Sequence, residues 1–265
     1  MNSPFMFHHR EWGDRHRPTV VFLHGFMGNS GDWAEIAELL ADRFHCLAVD
    51  LPGHGATTVN GPDSLYGMES TAEALMAWLA VSEVNSAHVV GYSMGGRLAV
   101  YLASRWRARW QSVVLESASP GLATAAERQA RCEQDRMLAR RLLSTRYDRF
   151  LDQWYNQPLF ASIRRNPVRY ERLLAARNDV DTHGFARSLL HMGTGSQPSA
   201  WDSLGLIPPS LLLVGEMDAK FKEIAAHMAA KMPAATVTVV PDAGHNVHFE
   251  QPEKYASLVR SFLTQ

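Results

Sequence analysis

The sequence predicts an α/β architecture: a mostly parallel, doubly wound sheet interrupted by a helical insertion. Three observations carry that prediction. Short apolar runs of strand length alternate with helical stretches along the chain. Those runs are apolar on both faces, as strands covered by two helix layers are. One stretch, from about residue 120 to 197, has helical patterns and no convincing strand.

The first run, residues 19–24 (Thr-Val-Val-Phe-Leu-His), is β-branched and aromatic and lies between Pro18 and Gly25. Residues 44–50 form the second, closed by Leu51-Pro52-Gly53-His54-Gly55. Residues 87–92, 111–116, 210–214 and 235–240 supply four more strands. Helical patterns span residues 32–42, 70–81, 95–106, 221–232 and 252–263. Residues 1–119 and 198–265 therefore read as one sheet-bearing core, and residues 120–197 as a helical cap inserted into it. A separate domain fits less well, because each half of the sheet is incomplete without the other. There is no internal repeat and no low-complexity segment.

The chain has 265 residues, 46% hydrophobic and 20% charged, with a net charge of −1. That balance gives no reason to expect nucleic acid or an anionic membrane as partner. The first ten residues lack a charged leader and an apolar run, so no secretory signal is expected, and a cytoplasmic location is the default. No stretch approaches the roughly 18 apolar residues of a membrane span. Cys46 and Cys132 lie in different contexts and read as two thiols in a reducing compartment rather than a disulfide.

The chemistry concentrates after the strands. Gly91-Tyr92-Ser93-Met94-Gly95 follows a strand and opens a helix, the setting in which G-x-S-x-G forms a nucleophile elbow. Its serine needs an imidazole oriented by a carboxylate, in the chain order Ser, acid, His. Asp218, in the loop after residues 210–214, is the preferred acid, with Glu216 as nearby rival. His245 follows Gly244 directly after the last strand and is the preferred base; His248, one helical turn on, is the lesser candidate. The three-residue spacing of the two histidines lacks a third ligand, so no metal is expected. The Met94 N–H at the helix start and the Phe26 N–H after the first strand can form an oxyanion hole. His24 reads as shaping that turn. No phosphate-binding or dinucleotide fingerprint is present, and no cofactor is expected.

Between Arg105 and Arg177 the chain has fifteen arginines and no lysine. Many must be solvated, yet a preference for guanidinium suits a carboxylate-bearing ligand. Arg97, in the first turn after the elbow, would place a cation at the pocket floor.

These residues resemble the α/β-hydrolase superfamily: His24-Gly25-Phe26, Asp50-Leu51-Pro52-Gly53-His54-Gly55, the elbow, Asp218 and Gly244-His245. Further stretches narrow the likeness, namely Gly91-Tyr92-Ser93-Met94-Gly95-Gly96-Arg97, Pro120-Gly121-Leu122, residues 152–162 around Trp154-Tyr155-Asn156-Gln157-Pro158, residues 215–221 and residues 243–248. With them the chain resembles the 2-succinyl-6-hydroxy-2,4-cyclohexadiene-1-carboxylate synthases of menaquinone biosynthesis. Residues 116–120, Glu-Ser-Ala-Ser-Pro, depart from that pattern. The resemblance implies a lyase that eliminates pyruvate from an enolpyruvyl precursor carrying three carboxylates. It also implies that Arg97, Arg131 and Arg177 bind this substrate while Tyr92 and Trp154 line the pocket. A small-molecule tricarboxylate is then the partner, and a monomer is the working expectation for assembly. A serine carboxylesterase or C–C-bond hydrolase for an anionic small molecule is the nearest alternative, and a non-catalytic binding protein the more distant one.

Overall fold

The computed structural model describes residues 3–177 and 180–265. The strands are β1 (Phe5–Met6), β2 (His9–Trp12), β3 (Thr19–Leu23), β4 (His45–Val49), β5 (Thr58–Val59), β6 (Ala87–Tyr92), β7 (Trp110–Glu116), β8 (Ser210–Gly215) and β9 (Ala235–Val240). The helices are α1 (Ala34–Leu40), α2 (Met68–Val81), α3 (Met94–Arg105), α4 (Ala125–Ser144), α5 (Tyr147–Tyr155), α6 (Pro167–Ala175), α7 (Thr182–Met192), α8 (Ala219–Ala229), α9 (Val247–Glu250) and α10 (Pro252–Leu263).

Seven strands form the main sheet in the order β2-β4-β3-β6-β7-β8-β9. All pairs are parallel except β2 with β4. The six strands expected from apolar runs are β3, β4, β6, β7, β8 and β9. Strand β2 (His-Arg-Glu-Trp) was not expected, since a polar edge strand lacks an apolar run. Strands β1 and β5 make a separate antiparallel pair of two residues each.

Side chains of β3 alternate between two cores, as period-two geometry requires. Val20 and Phe22 join Trp33, Ile36, Leu40, Tyr255 and Val259, the layer of α1 and α10. Val21 and Leu23 join Met68, Leu75, Leu98, Leu102 and Met228, the layer of α2, α3 and α8. The start of the first expected helix is instead a 3-10 turn, Ser30–Trp33, because Asn29 caps it and Asp32 closes a capping box on the Asn29 N–H.

Between β7 and β8 the described residues contain no strand. Helices α4 to α7 carry a third core of Leu142, Phe150, Leu151, Tyr155, Phe160, Phe185 and Leu189. Met27, from the loop after β3, belongs to that core, which seats these helices over the carboxyl ends of the strands. Helix α4 opens with a full capping box between Thr124 and Glu127. Cys46 and Cys132 are free; burial pushes the Cys46 thiol up to about 12, leaving it inert.

Candidate active site

Parallel register brings the loops after β3, β6, β8 and β9 to one edge, where ligands of open α/β sheets bind. Leu23 pairs with Gly91, Tyr92 with Glu116 and Gly215 with Val240. Two backbone hydrogen bonds then knit the last loops together, Glu216 N–H to Val240 O at 2.9 Å and Met217 N–H to Ala243 O at 3.0 Å.

Ser93 lies between β6 and α3 with φ 49° and ψ −104°, a conformation a side chain adopts only under strain. The turn is possible because its neighbours lack side chains. A Cβ on Gly95 would strike the Leu23 carbonyl, and one on Gly96 would come 2.5 Å from the Ala118 Cβ. The Met94 N–H opens α3 and points out of its first turn, as do all first-turn amides.

The Ser93 hydroxyl donates to His245 Nε2 at 3.2 Å, and His245 Nδ1 donates to Asp218 Oδ2 at 2.7 Å. Asp218 and His245 are both buried. Glu250 accepts the amides of Gly244 (3.1 Å) and Asn246 (3.4 Å), which flank His245 and fix its loop; burial raises the Glu250 carboxyl above its ordinary range. Glu216 is exposed and faces the Asp242 amide, so it does not reach the imidazole. His248 turns the other way: its Nδ1 donates to the buried Glu116 at 2.7 Å, and its ring stacks on Trp33 at 4.2 Å. His24 accepts the Leu51 N–H on Nε2 at 2.9 Å and donates from Nδ1 to Gly25 O at 2.8 Å, a turn-shaping arrangement.

A cavity of about 350 Å³ opens beside Ser93 and His245. Phe26, Met94, Arg97, Arg131 and Trp154 line it, with Lys220 and Phe221 at one side. Arg97 is buried and donates to Met192 O (2.9 Å) and Gln197 Oε1 (3.1 Å). Among the described residues it has no carboxylate partner. Burial first, and then the neighbouring Arg131, lower its guanidinium to about 10. Arg131 reaches the cavity from α4 and is paired one helical turn on with Asp135, at 2.8 Å.

Tyr92 and Arg177 lie elsewhere. Both line a smaller polar pocket of about 30 Å³, which meets the large cavity at Ser93, Phe26, Trp154 and Phe160. Arg177 grips Asp32 bidentately, Nη1 to Oδ1 and Nη2 to Oδ2 at 2.7 Å each. Burial alone would lower the Arg177 guanidinium, but Asp32 outweighs it and holds it above its ordinary value. Tyr92 packs between His245 (5.4 Å) and His248 (5.0 Å), and burial keeps its phenol protonated.

Sequence reasoning did not single out Gln197, Asp32, Glu116 or Lys220. The partners of the first three lie many residues away: Gln197 stands 100 residues from Arg97, Asp32 stands 145 from Arg177 and Glu116 stands 132 from His248. No spacing rule could have joined them.

The family model described as alpha/beta hydrolase family matches residues 20–258. The chain belongs to the α/β-hydrolase family. Within this family it is 38% identical to a putative 2-succinyl-6-hydroxy-2,4-cyclohexadiene-1-carboxylate synthase of Bacillus subtilis, over 93% of this chain and 90% of that protein. It is 34% identical to the 2-succinyl-6-hydroxy-2,4-cyclohexadiene-1-carboxylate synthase of Serratia proteamaculans, over 95% of both. The α/β-hydrolase structure of MenH from S. aureus superposes with a TM-score of 0.90 at 30% identity, covering 99% of this chain and 98% of that one. No helix among the described residues is long and apolar enough to cross a membrane.

Proposed function

We propose that this chain is a carbon–oxygen lyase. It eliminates pyruvate from 2-succinyl-5-enolpyruvyl-6-hydroxy-3-cyclohexene-1-carboxylate to give 2-succinyl-6-hydroxy-2,4-cyclohexadiene-1-carboxylate. The observation that carries this reading is Arg97, a buried guanidinium without a carboxylate partner among the described residues, in the same cavity as Ser93. A buried cation without a counter-ion is costly unless a ligand supplies one. A neutral-ester pocket has no use for it. The full-length likeness to synthases that bear this activity in their names supports the same reading.

In this mechanism Ser93, His245 and Asp218 act as a proton-transfer relay. Ser93 Oγ takes the proton from the ring carbon next to the succinyl ketone and passes its own to His245 Nε2, while Asp218 stabilises the imidazolium. The ketone oxygen becomes an enolate, held by the Phe26 and Met94 N–H groups. The electron pair then moves through the ring double bond and breaks the carbon–oxygen bond to the enolpyruvyl group. His245 gives its proton to the departing enolate, which becomes pyruvate, while Ser93 keeps the proton taken from the ring carbon, so both groups return to their starting states. No bond to Ser93 forms. Arg97 and Arg131 hold substrate carboxylates, Trp154 and Tyr92 shape the walls, and residues 120–197 act as the cap. Arg177, retained from the family pattern, contributes from the smaller pocket while bound to Asp32.

The test is pyruvate release from the enolpyruvyl precursor by purified protein. Arg97→Ala should lower kcat/KM by about a hundredfold or more, equivalent to about 3 kcal/mol for a charge-assisted contact. Rapid hydrolysis of short neutral esters with no pyruvate release would overturn the reading.

A further inference from the structure

Lys220 occupies an unfavourable place for a cation. It is the second residue of α8, directly after Ala219 and the capping Asp218, where the helix macrodipole disfavours positive charge. The chain has 26 Lys and Arg residues, and its ion pairs among the described residues all draw on arginine or histidine. Among the described residues Lys220 therefore forms no ion pair that offsets its position. What it does have is the cavity. It lines the same space as Arg97, Arg131 and Ser93, with its Nζ 5.6 Å over the Phe221 ring. Phe221 in turn packs on His245 at 4.7 Å, which ties the lysine to the reacting end of the cavity.

The charges around the site decide what it does there. Arg177 is cancelled by a bidentate carboxylate in a separate small pocket, and Arg131 is partly offset by Asp135. Glu127, the acidic residue lining the large cavity, has its Oε2 occupied by the Thr124 amide (2.8 Å) and hydroxyl (2.7 Å). The cations that line the large cavity are thus Arg97, Arg131 and Lys220. A ligand with three carboxylates finds three positive centres within this one cavity only if Lys220 is counted, since Arg177 acts from the smaller pocket with Asp32 already on it.

We infer that Lys220 is a further substrate-binding residue, which receives one carboxylate at the exposed side of the cavity. The inference deepens the proposed reading and rests on it for the identity of the substrate. Because the lysine is exposed and its Nζ is the only part needed, its replacement leaves the fold intact.

Pyruvate release is measured against precursor concentration at low and high salt for the wild-type enzyme, Lys220→Gln and Lys220→Arg. Lys220→Gln should raise KM about tenfold at low salt with kcat nearly unchanged, and added salt should narrow the gap. Lys220→Arg should restore most of the affinity. A KM for Lys220→Gln equal to that of the wild type, while the wild type releases pyruvate, overturns the inference and leaves the proposed function standing. Calorimetric titration with tricarballylate, a simple tricarboxylate, gives a readout independent of turnover. Weaker binding by Lys220→Gln supports the inference even if no pyruvate is released. Equal binding by both proteins, or no binding by either, overturns it.

Discussion

Ser93 combines two demands that conflict. Its hydroxyl must stand clear of the sheet to meet His245, and the backbone that achieves this has a positive φ that glycine would adopt more easily. Ser93→Gly should therefore remove activity and stabilise the fold. A strained residue of this kind costs about 1–3 kcal/mol. For a chain of this size the melting temperature should rise by roughly 2–4 °C per kcal/mol recovered. Thermal unfolding of the two proteins measures the effect; a lower melting temperature for Ser93→Gly would mean that the elbow is unstrained. The position of this serine was legible in the sequence because its pattern is local: Gly91 packs on Gly95 and Gly96 within the same strand-to-helix turn. Asp218 and His245 were legible for a related reason, since each follows a recognisable strand. The environment of Arg97 was not. Its carbonyl partner on Met192 and its amide partner Gln197 come from the far end of the helical cap.

At the scale of elements, the loop after β3 carries the Phe26 amide proposed for the oxyanion hole and also packs, through Met27, against helices α4 to α7. Asp32 links these two duties. One carboxylate oxygen accepts the Asn29 N–H at 3.3 Å and closes the capping box of the turn, while both oxygens bind Arg177 of the cap. Asp32→Asn keeps the shape and removes the charge that balances a buried guanidinium, whose side chain is 5% exposed. Such a loss costs about 3–5 kcal/mol when a buried partner is left unpaired. It should lower the melting temperature and also kcat, because the Phe26 amide moves with the loop. Arg177→Met combined with Asp32→Asn should cost less than the sum of the singles, and strict additivity would show that the pair is not coupled. The six apolar strands and the long helices were readable from periodicity, since burial on two faces leaves a continuous apolar run. Strand β2 was not, because its pairing with β4 comes from tertiary contact alone; His9, Arg10 and Glu11 give no alternating pattern that would announce it.

For the whole molecule, the seam between the sheet's loops and helix α7 is built partly from histidines that must stay neutral. His54 lies between Phe26 (5.7 Å) and Phe185 of α7 (4.8 Å), with the His24 ring tilted against it at 5.1 Å. Burial holds both rings below their ordinary value of 6.5, and it lowers His88, bonded to Ser112 at 2.8 Å in the core, to about 4. In the unfolded chain these groups take up protons near pH 6.5, whereas in the folded protein they do so only at lower pH. The unfolded state therefore binds more protons below about pH 6.5, and stability is complete above that value and falls as pH drops. Each histidine contributes at most about 1.4 kcal/mol per pH unit within its own window. For His88 the window closes near pH 4. Apart from Glu250, which burial raises, the shifted acids act in a lower range. Burial alone would raise Asp50, but His24 and the amides of Ala56 and Ser30 outweigh it and keep the carboxyl below its ordinary 3.8. Between about pH 6.5 and 4.5 the buried histidines destabilise the fold as pH falls, opposed by Glu250, whose raised carboxyl takes up its proton first in the folded state. Melting temperatures recorded across this range should fall, and His88→Gln should flatten the curve by one histidine's share. His54→Phe, which fills the same aromatic seam without a titrating nitrogen, should flatten it further and should also preserve the docking of α7 as acid is added. A curve of unchanged slope in both variants would place the acid sensitivity outside these rings.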